Sequence, residues 1–599
     1  MNGHKFHIPV LGVGFSVDAP LKAAKYGISS VISLVDDTLM EKLRMHYLVK
    51  NNKKYIPITE KDIDARANRI TAYLNMINDM VKRQFEELKN SAFETSSEIN
   101  KYFEMLPDFS HLKIKYNEMI NSKDENVVAK IQNWLRENIH HGDINVNVMT
   151  KVDKANHSKD GVLLPNEFND AHAALRGFAQ SELCSSIIFS AGMNPRLYGY
   201  MEKFKDFLPL SDGSFKKKIT IKVSDFRSAL IQGKFLAKKG LWVSEFRIES
   251  GLNCGGHAFA TDGLLLGPIL EEFTTRKAEL LNSIRELYLP AIEQKGIRIN
   301  ADDVSFIITV QGGVGKSTEQ DFLIRKYGVE SVGWGSPFLL VPEVMNVDDD
   351  TLHKLSAAGE DDIYLSDVSP LGVPFNCLRT SSKEEEKRKR IYDGKPGSSC
   401  PKKFLISNKE YSEKLLCTAS VTYLNKKIKD LKNNCADESE YNTKFEKVTN
   451  KTCLCEGLTA SALVVNKIES PKLSQAVAVC PGPNLAYFSK ITTLKEMVDH
   501  IYGRINLITH PNRPNMFVKE ITLYVDFLIK KIEESTKPFS TQTEQFFNTF
   551  SANLIDGINY YKKIVPEIIE ETEHVREKMV EELQAIENRI ASYFFAAVE

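Results

Sequence analysis

Residues 303–340, DVSFIITVQGGVGKSTEQDFLIRKYGVESVGWGSPFLL, read as a strand, a glycine turn, a short helix and a second strand that ends in another glycine turn. Two phosphate-binding folds compete for this stretch. GGVGKST has the outline of a nucleotide P-loop, in which glycine amides wrap a triphosphate and a lysine reaches the outer phosphates. The strict pattern needs a glycine five residues before Gly315, and Val310 stands there. Glu319 and Asp321 fall at the start of the helix, where they compete with an anion for the positive end of the dipole. The second turn, Gly333-Trp334-Gly335-Ser336, has no place in a P-loop. A (β/α)8 barrel accounts for both turns, because its phosphate site is built by the loops after strands 7 and 8.

Counting strands backwards closes that barrel. Apolar runs of strand length lie at 8–15 (IPVLGVGF), 30–35, 144–149 (INVNVM), 186–191, 218–223 (KITIKV), 242–248 (WVSEFRI), 304–310 and 329–333. Amphipathic helical patterns at 21–26, 225–239 and 266–294 join several of them, as a parallel sheet requires. The reading is therefore an α/β chain whose residues 1–345 form a TIM barrel. A plain barrel needs about 250 residues. The excess sits between strands 2 and 3, where 36–141 reads as a helical insertion on the catalytic rim: a lid or docking element, or a stabilising addition.

The chain has 599 residues, of which 42% are hydrophobic and 26% charged, and a formal net charge of -1. That balance gives no electrostatic reason to expect nucleic acid or an anionic membrane as partner. No apolar run reaches the roughly 18 residues of a membrane helix, and MNGHKFHIPV enters a strand directly, so a cytoplasmic protein is expected. Seven of the nine cysteines fall between 377 and 480, and 346–490 reads as a cysteine-rich satellite domain. Cys400, Cys453, Cys455 and Cys480 sit in glycine and proline turns and are the candidate ligands for an iron–sulfur cluster or zinc, against plain reduced thiols. Residues 491–599 read as helices that pack on the barrel or serve a homo-oligomer. The run 383–390, KEEEKRKR, reads as a solvated face.

Strand 6 carries the second strong signal, IESGLNCGGHAFATDG at 248–263. Gly255 and Gly256 let backbone pass close to a flat ligand, and His257 follows them at the catalytic end of the strand. These residues resemble the flavin barrels of the nitronate monooxygenase family (formerly 2-nitropropane dioxygenase), to which the FMN-dependent enoyl-acyl-carrier-protein reductases are related. The family's Gly-x-Glu-Ala-Gly-Gly-His frame is matched by Gly251-Leu252-Asn253-Cys254-Gly255-Gly256-His257. Its Gly-Gly-Ile-type turn is matched by Gly312-Gly313-Val314-Gly315, its Gly-Thr-x-Phe turn by Gly335-Ser336-Pro337-Phe338, and its strand-3 asparagine by Asn147. The resemblance covers residues 1–345. Asn253 in place of glutamate, Lys316 after the glycine turn and the long insertion depart from the family.

The resemblance implies FMN and a small-molecule substrate, with NAD(P)H or another electron donor. It implies that the amides of Gly313, Val314, Gly315, Gly335 and Ser336 hold the phosphate, with Lys316 as counter-ion. The flavin ring lies near Gly12, Val13, Gly14 and Phe15. Lys222 places its ammonium beside N1 and C2=O, or is a solvated strand end, and His257 acts as general base or hydrogen-bond donor to substrate. Two readings from other classes stay open: a P-loop ATPase of the partition type, and a degenerate barrel kept as an interaction scaffold.

Overall fold

The computed structural model describes residues 3–158 and 160–598, with side chains as far as Tyr593, so the final residues of the C-terminal run lie outside the described side chains. Its centre is a sheet of eight strands: β1 (Phe6–His7), β2 (Ser30–Ser33), β3 (Ile144–Val148), β4 (Ser185–Phe189), β5 (Lys217–Val223), β6 (Val243–Glu249), β7 (Ile307–Gln311) and β8 (Ser331–Gly333). The strands are parallel and run in the order β1-β8-β7-β6-β5-β4-β3-β2. A parallel bridge from Ile8 to Ser30, with the Ile8 amide donating to the Ser29 carbonyl at 2.9 Å, joins the two ends. The fold is an (β/α)8 TIM barrel with helical additions.

All eight strands stand where the apolar runs place them, except that the first pairs over Phe6–His7 rather than along 8–15. Pro9 has no amide to continue a ladder, and Gly12 takes a left-handed φ of 53°. The remainder of IPVLGVGF therefore leaves the sheet and lies over the barrel mouth, anchored by the Leu11 amide on Ser16 Oγ at 3.0 Å.

Inside the barrel, alternate residues of β5, β6 and β7 form a polar plug. Glu245 accepts from Thr220 Oγ1 at 3.0 Å, from Arg247 Nε at 2.9 Å and from Thr309. Each buried charge in it has partners, as burial demands. The next inward layer, Lys222, Glu249 and Gln311, belongs to the cavity above.

The insertion forms five helices: Asp37–Lys50, Ala65–Lys89, Glu98–Met105, His111–Asn121 and Glu125–Asn138. Side-chain caps start four of them, with Asp36 accepting from the Leu39 amide at 2.9 Å and Ser110 from the Lys113 amide at 3.1 Å, which is the usual role of these residue types; the helix Ala65–Lys89 starts without one. Helix Ala65–Lys89 packs along helix Asp170–Ala179, where a Cβ on Gly177 would stand 2.8 Å from the Ala67 carbonyl and 2.8 Å from Ile70 Cβ.

The mouth is covered instead by 346–490. From this region come the antiparallel pair β9 (Ile363–Ser366) and β10 (Phe375–Leu378) and the helix Leu454–Val465. Backbone bonds fasten them to the barrel loops: Gly14 donates to the Leu458 carbonyl at 2.8 Å, Gly256 to Cys480 at 3.1 Å, and Asn376 to Gly256 at 2.9 Å. The C-terminal helices Met516–Glu533 and Thr541–Ile564 pack on the barrel's outer layer. There buried Glu520 accepts from Ser250 Oγ, from the Leu266 amide at 3.0 Å and from Tyr561 Oη at 2.8 Å.

Gly177→Val is expected to destabilise the protein by about 1–3 kcal/mol, the usual cost of forcing volume into a packed contact. Urea unfolding should show the loss, and an unchanged midpoint would mean that the two helices are not tightly docked.

Candidate functional site

The C-terminal ends of the strands open into a cavity of about 220 Å³, lined by loops after β1, β6, β7 and β8 below and by the covering segments above. Its floor is charged but paired. Lys222 Nζ lies 3.0 Å from Glu249, and Gln311 Nε2 donates to the same carboxylate at 2.8 Å. These three residues end β5, β6 and β7, so their side chains point up the barrel axis. Glu249 and Gln311 were missed in the sequence because nothing local marks which strand residues face inward at a barrel mouth. Alternation along WVSEFRIE reaches Glu249 and along IITVQ reaches Gln311, but only once the inward face of each strand is known.

Three buried acceptors in the cavity wall, Asn147 Oδ1, Asn253 Oδ1 and Gln311 Oε1, receive no hydrogen bond among the described residues. Buried polar atoms are normally paired, and an orphan in a cavity wall calls for a donor from whatever fills the cavity. The amides of Gly313, Val314 and Gly335, whose residues also line the cavity, donate to no group among the described residues. They end the loops after β7 and β8, where this fold places an anion.

The glycine turn after β7 is shaped from behind by an internal ion pair. Buried Glu319 accepts from the Gly315 amide at 2.8 Å and the Lys316 amide at 3.1 Å. It is held in turn by Arg513 at 2.7 Å. Arg513 also donates to the Gly313 carbonyl at 2.8 Å, while Asn484 Nδ2 donates to Val314 O at 2.8 Å. With both carbonyls tied back, the turn's remaining amides face the cavity.

This arrangement corrects several expectations. Gly315 is taken out of the proposed phosphate cradle by Glu319. Lys316 is no counter-ion, because its Nζ lies 3.7 Å from Glu571 and outside the cavity. The P-loop reading ends with the closed barrel and with a carboxylate on the helix amides that a nucleotide would need. Gly14 does not line the cavity either: a Cβ there would meet the Leu458 carbonyl at 3.0 Å, so its smallness serves the covering helix. Gly12, Val13, Asn147, Lys222, Gly255, Gly256, His257, Gly312, Gly313, Val314, Gly335 and Ser336 all do line it.

The double glycine has a use that the sequence did not reveal. A Cβ on Gly255 would stand 2.6 Å from the Cys480 carbonyl, so Gly255 admits the covering segment and does more than approach a ligand. His257 is fixed by a 2.8 Å hydrogen bond between Nε2 and Ser369 Oγ of the cover and by an edge contact with Phe375. Burial, and then the Lys151 and Lys222 charges, hold its pKa down to about 4. It is a neutral imidazole at physiological pH.

The proposed metal set does not assemble. Cys480 lines the cavity, whereas Cys400, Cys453 and Cys455 belong to another part of the cover. Cys453 and Cys455 are two residues apart at a helix start, and that spacing turns side chains to different faces. Among the described residues, no group of three or more His, Cys, Asp or Glu side chains is arranged to hold a metal.

No family model matches the chain, and no curated protein matches it by sequence. A solved structure of a FabK mutant from Thermotoga maritima matches 63% of this chain and 80% of that one at 12% identity, with a TM-score of 0.29. At that level the likeness carries no functional inference, and the chemistry rests on the cavity itself.

Gly313 has a φ of 78°, and its Cβ would lie 2.0 Å from Asn253 Nδ2. The clash of a larger residue is therefore with Asn253 rather than with a ligand. Gly313→Ala should cost about 1–3 kcal/mol, and less in an Asn253→Ala background; equal costs in a double-mutant cycle of denaturant melts would dissociate the two residues. For His257, the folded pKa lies below the unfolded one, so the unfolded chain takes up the proton first as pH falls. Stability should be unaffected by His257 above about pH 6.5 and should decline between there and about pH 4. His257→Gln should flatten that part of the profile, and coincident wild-type and variant profiles would count against a buried neutral imidazole.

Proposed function

We propose that the protein is a flavin-dependent oxidoreductase that holds FMN at the barrel mouth and acts on a small activated carbon compound, in the manner of the nitronate monooxygenases it resembles. One observation carries the reading: a single cavity has unpaired amide donors at the end where this fold takes phosphate and unpaired carboxamide acceptors along its wall. That distribution suits a ligand with a dianionic tail and a ring bearing N–H donors. FMN is such a ligand, and when bound it supplies transfer of two electrons.

The residues present would divide the work. The amides of Gly313, Val314 and Gly335, with the Ser336 hydroxyl, would hold the phosphate. Asn147 and Gln311 would accept from the ring edge, and the paired Lys222 and Glu249 would set a fixed dipole beneath it. His257, neutral and held by Ser369, is suited to donate or accept a hydrogen bond at a substrate oxygen rather than to carry charge. Phe375 and Leu458 in the cover would exclude water, which strengthens each of these polar contacts. A reduced nicotinamide is a suitable donor of electrons; for the iron–sulfur or zinc alternative in the cysteine region, no group of metal-binding side chains is found among the described residues.

Protein purified in the dark should show visible flavin absorbance and release FMN on denaturation. Asn147→Leu and Gln311→Leu should each weaken FMN binding by about 10- to 100-fold, the worth of one or two hydrogen bonds in a closed site. Titration of apoprotein with FMN, followed by flavin fluorescence, measures this. A wild-type protein that neither carries nor takes up FMN would leave the barrel as a scaffold.

A further inference from the structure

We propose that a basic hollow on the cover is a seat for a phosphate dianion, and that its occupancy loosens the roof of the barrel cavity through Lys451. The run 383–390, expected to be a solvated face, forms most of the helix Ser382–Tyr392. Its Lys383, Lys387 and Arg390 recur at spacings of four and three, which puts them on one helix face. All three line a hollow of about 120 Å³, and Lys451 and Lys472 line it too. The hollow shares no lining residue with the barrel cavity. It is not a patch of open surface, since Lys383 and Thr452 in its wall are each only 4% exposed.

The charges of the hollow do not cancel. Lys383 pairs with Glu386 at 2.5 Å and stands 3.9 Å from Glu456, while Lys387 pairs with Glu384 at 2.6 Å. Five cations therefore meet three carboxylates, an excess of two positive charges. Arg390, Lys451 and Lys472 have no ion-pair partner among the described residues. Arg390 gives its Nε to the Gly397 carbonyl at 2.5 Å. Its two terminal nitrogens have no partner among the described residues, and they form the fork that fits phosphate oxygens. A carboxylate would bring only one of the two missing charges. The group that brings both, with several acceptor oxygens, is phosphate, either free or as the monoester of a small metabolite.

Lys451 connects the hollow to the barrel cavity. Its ammonium donates to the Asp367 carbonyl at 2.6 Å and to the Ser369 carbonyl at 3.1 Å. These residues open the turn from β9 to β10, whose Leu371 and Val373 line the cavity and whose Ser369 Oγ is bonded to His257. Within the turn, the Leu371 amide donates to Ser369 Oγ at 3.3 Å and the Gly372 amide to the Ser369 carbonyl at 3.1 Å. A phosphate in the hollow offers Lys451 two full charges in place of two neutral carbonyls. The ammonium then turns to the ligand and releases the turn, and by linkage an opened turn binds the ligand more tightly. The Thr452 amide still holds the Val368 carbonyl at 2.9 Å, so the turn loosens at its tip and stays attached at its base. That this regulates a flavin site rests on the function proposed above; the seat and the loosening do not.

Equilibrium dialysis of the full-length protein against radiolabelled orthophosphate, at about pH 8 where the dianion prevails, should reveal a site that Arg390→Gln with Lys472→Gln weakens about tenfold or more. Tighter binding of glycerol 3-phosphate than of orthophosphate identifies a phosphomonoester as the ligand, and equal binding identifies free phosphate; either supports the seat. Hydrogen exchange read by mass spectrometry should show the peptide with Leu371 and Gly372 exchanging about five- to tenfold faster when phosphate is bound, the worth of one hydrogen bond. Lys451→Met should give the fast rate without phosphate and abolish the response. If that variant fails to fold, dialysis and wild-type exchange decide alone. Phosphate binding that survives the double substitution would lie elsewhere, the flavin cradle included, and would overturn the seat. Exchange in the turn that phosphate leaves unchanged or slows would overturn the coupling. Flavin enters neither measurement, and FMN uptake is scored separately, so this proposal and the flavin reading can fail independently.

Discussion

Closure of the parallel sheet is the constraint on which the rest of the molecule depends. β1 is two residues long, yet it must pair with β8 through Phe6 and His7 and hand over to β2 at Ile8. An open parallel sheet would leave unpaired edges and a polar interior in contact with water. Once the ring is closed, Arg247, Glu245 and the threonines around them can satisfy one another out of solvent. The strand ends then converge on one cavity. Every residue assigned a role at the mouth owes its position to that convergence, since the contributing strands are up to three hundred residues apart in the chain.

The second determinant is electrostatic. A helix start is an anion seat, and here the seat behind β7 is filled by the chain's own Glu319, neutralised by Arg513. Arg513 comes from the far C-terminal region, so the geometry of the glycine turn is fixed by a residue nearly two hundred positions away. The pair holds the Gly313 carbonyl and the amides of Gly315 and Lys316, Asn484 holds the Val314 carbonyl, and the amides of Gly313 and Val314 are left without a partner among the described residues. This places a net-neutral group behind the proposed phosphate site, so that an incoming dianion meets amide dipoles with no uncompensated carboxylate behind them.

The cover between 346 and 490 closes the barrel mouth. Its helix Leu454–Val465 presents Leu458 to the barrel cavity. Gly14, which the sequence offers to a ligand, yields its space to this cover, and Gly255 lines the cavity and also admits the cover. Close approach of backbone was the correct physical reading of those glycines; the partner was protein.

How much was legible in the sequence follows from the range of each interaction. The eight strands, the helical character of the insertion, and the rejection of a P-loop from Val310 were readable because alternation, helical periodicity and turn chemistry act over a few residues. The glycine turns after β7 and β8 and His257 were placed at the mouth by the same local logic, and Asn147 by the family resemblance. The pairing of Lys222 with Glu249, the withdrawal of Gly315 by Glu319 and Arg513, the separation of Cys480 from Cys400, and the choice of 346–490 over 36–141 as the cover were not readable. Each depends on which distant segments meet, and a sequence pattern records the tendency of a residue to seek a partner without recording which partner it meets. The sequence by itself determined a closed parallel barrel with a site at its C-terminal rim. The tertiary structure alone decided which charges at that rim are free, because burial and pairing are settled only when the chain has folded back on itself.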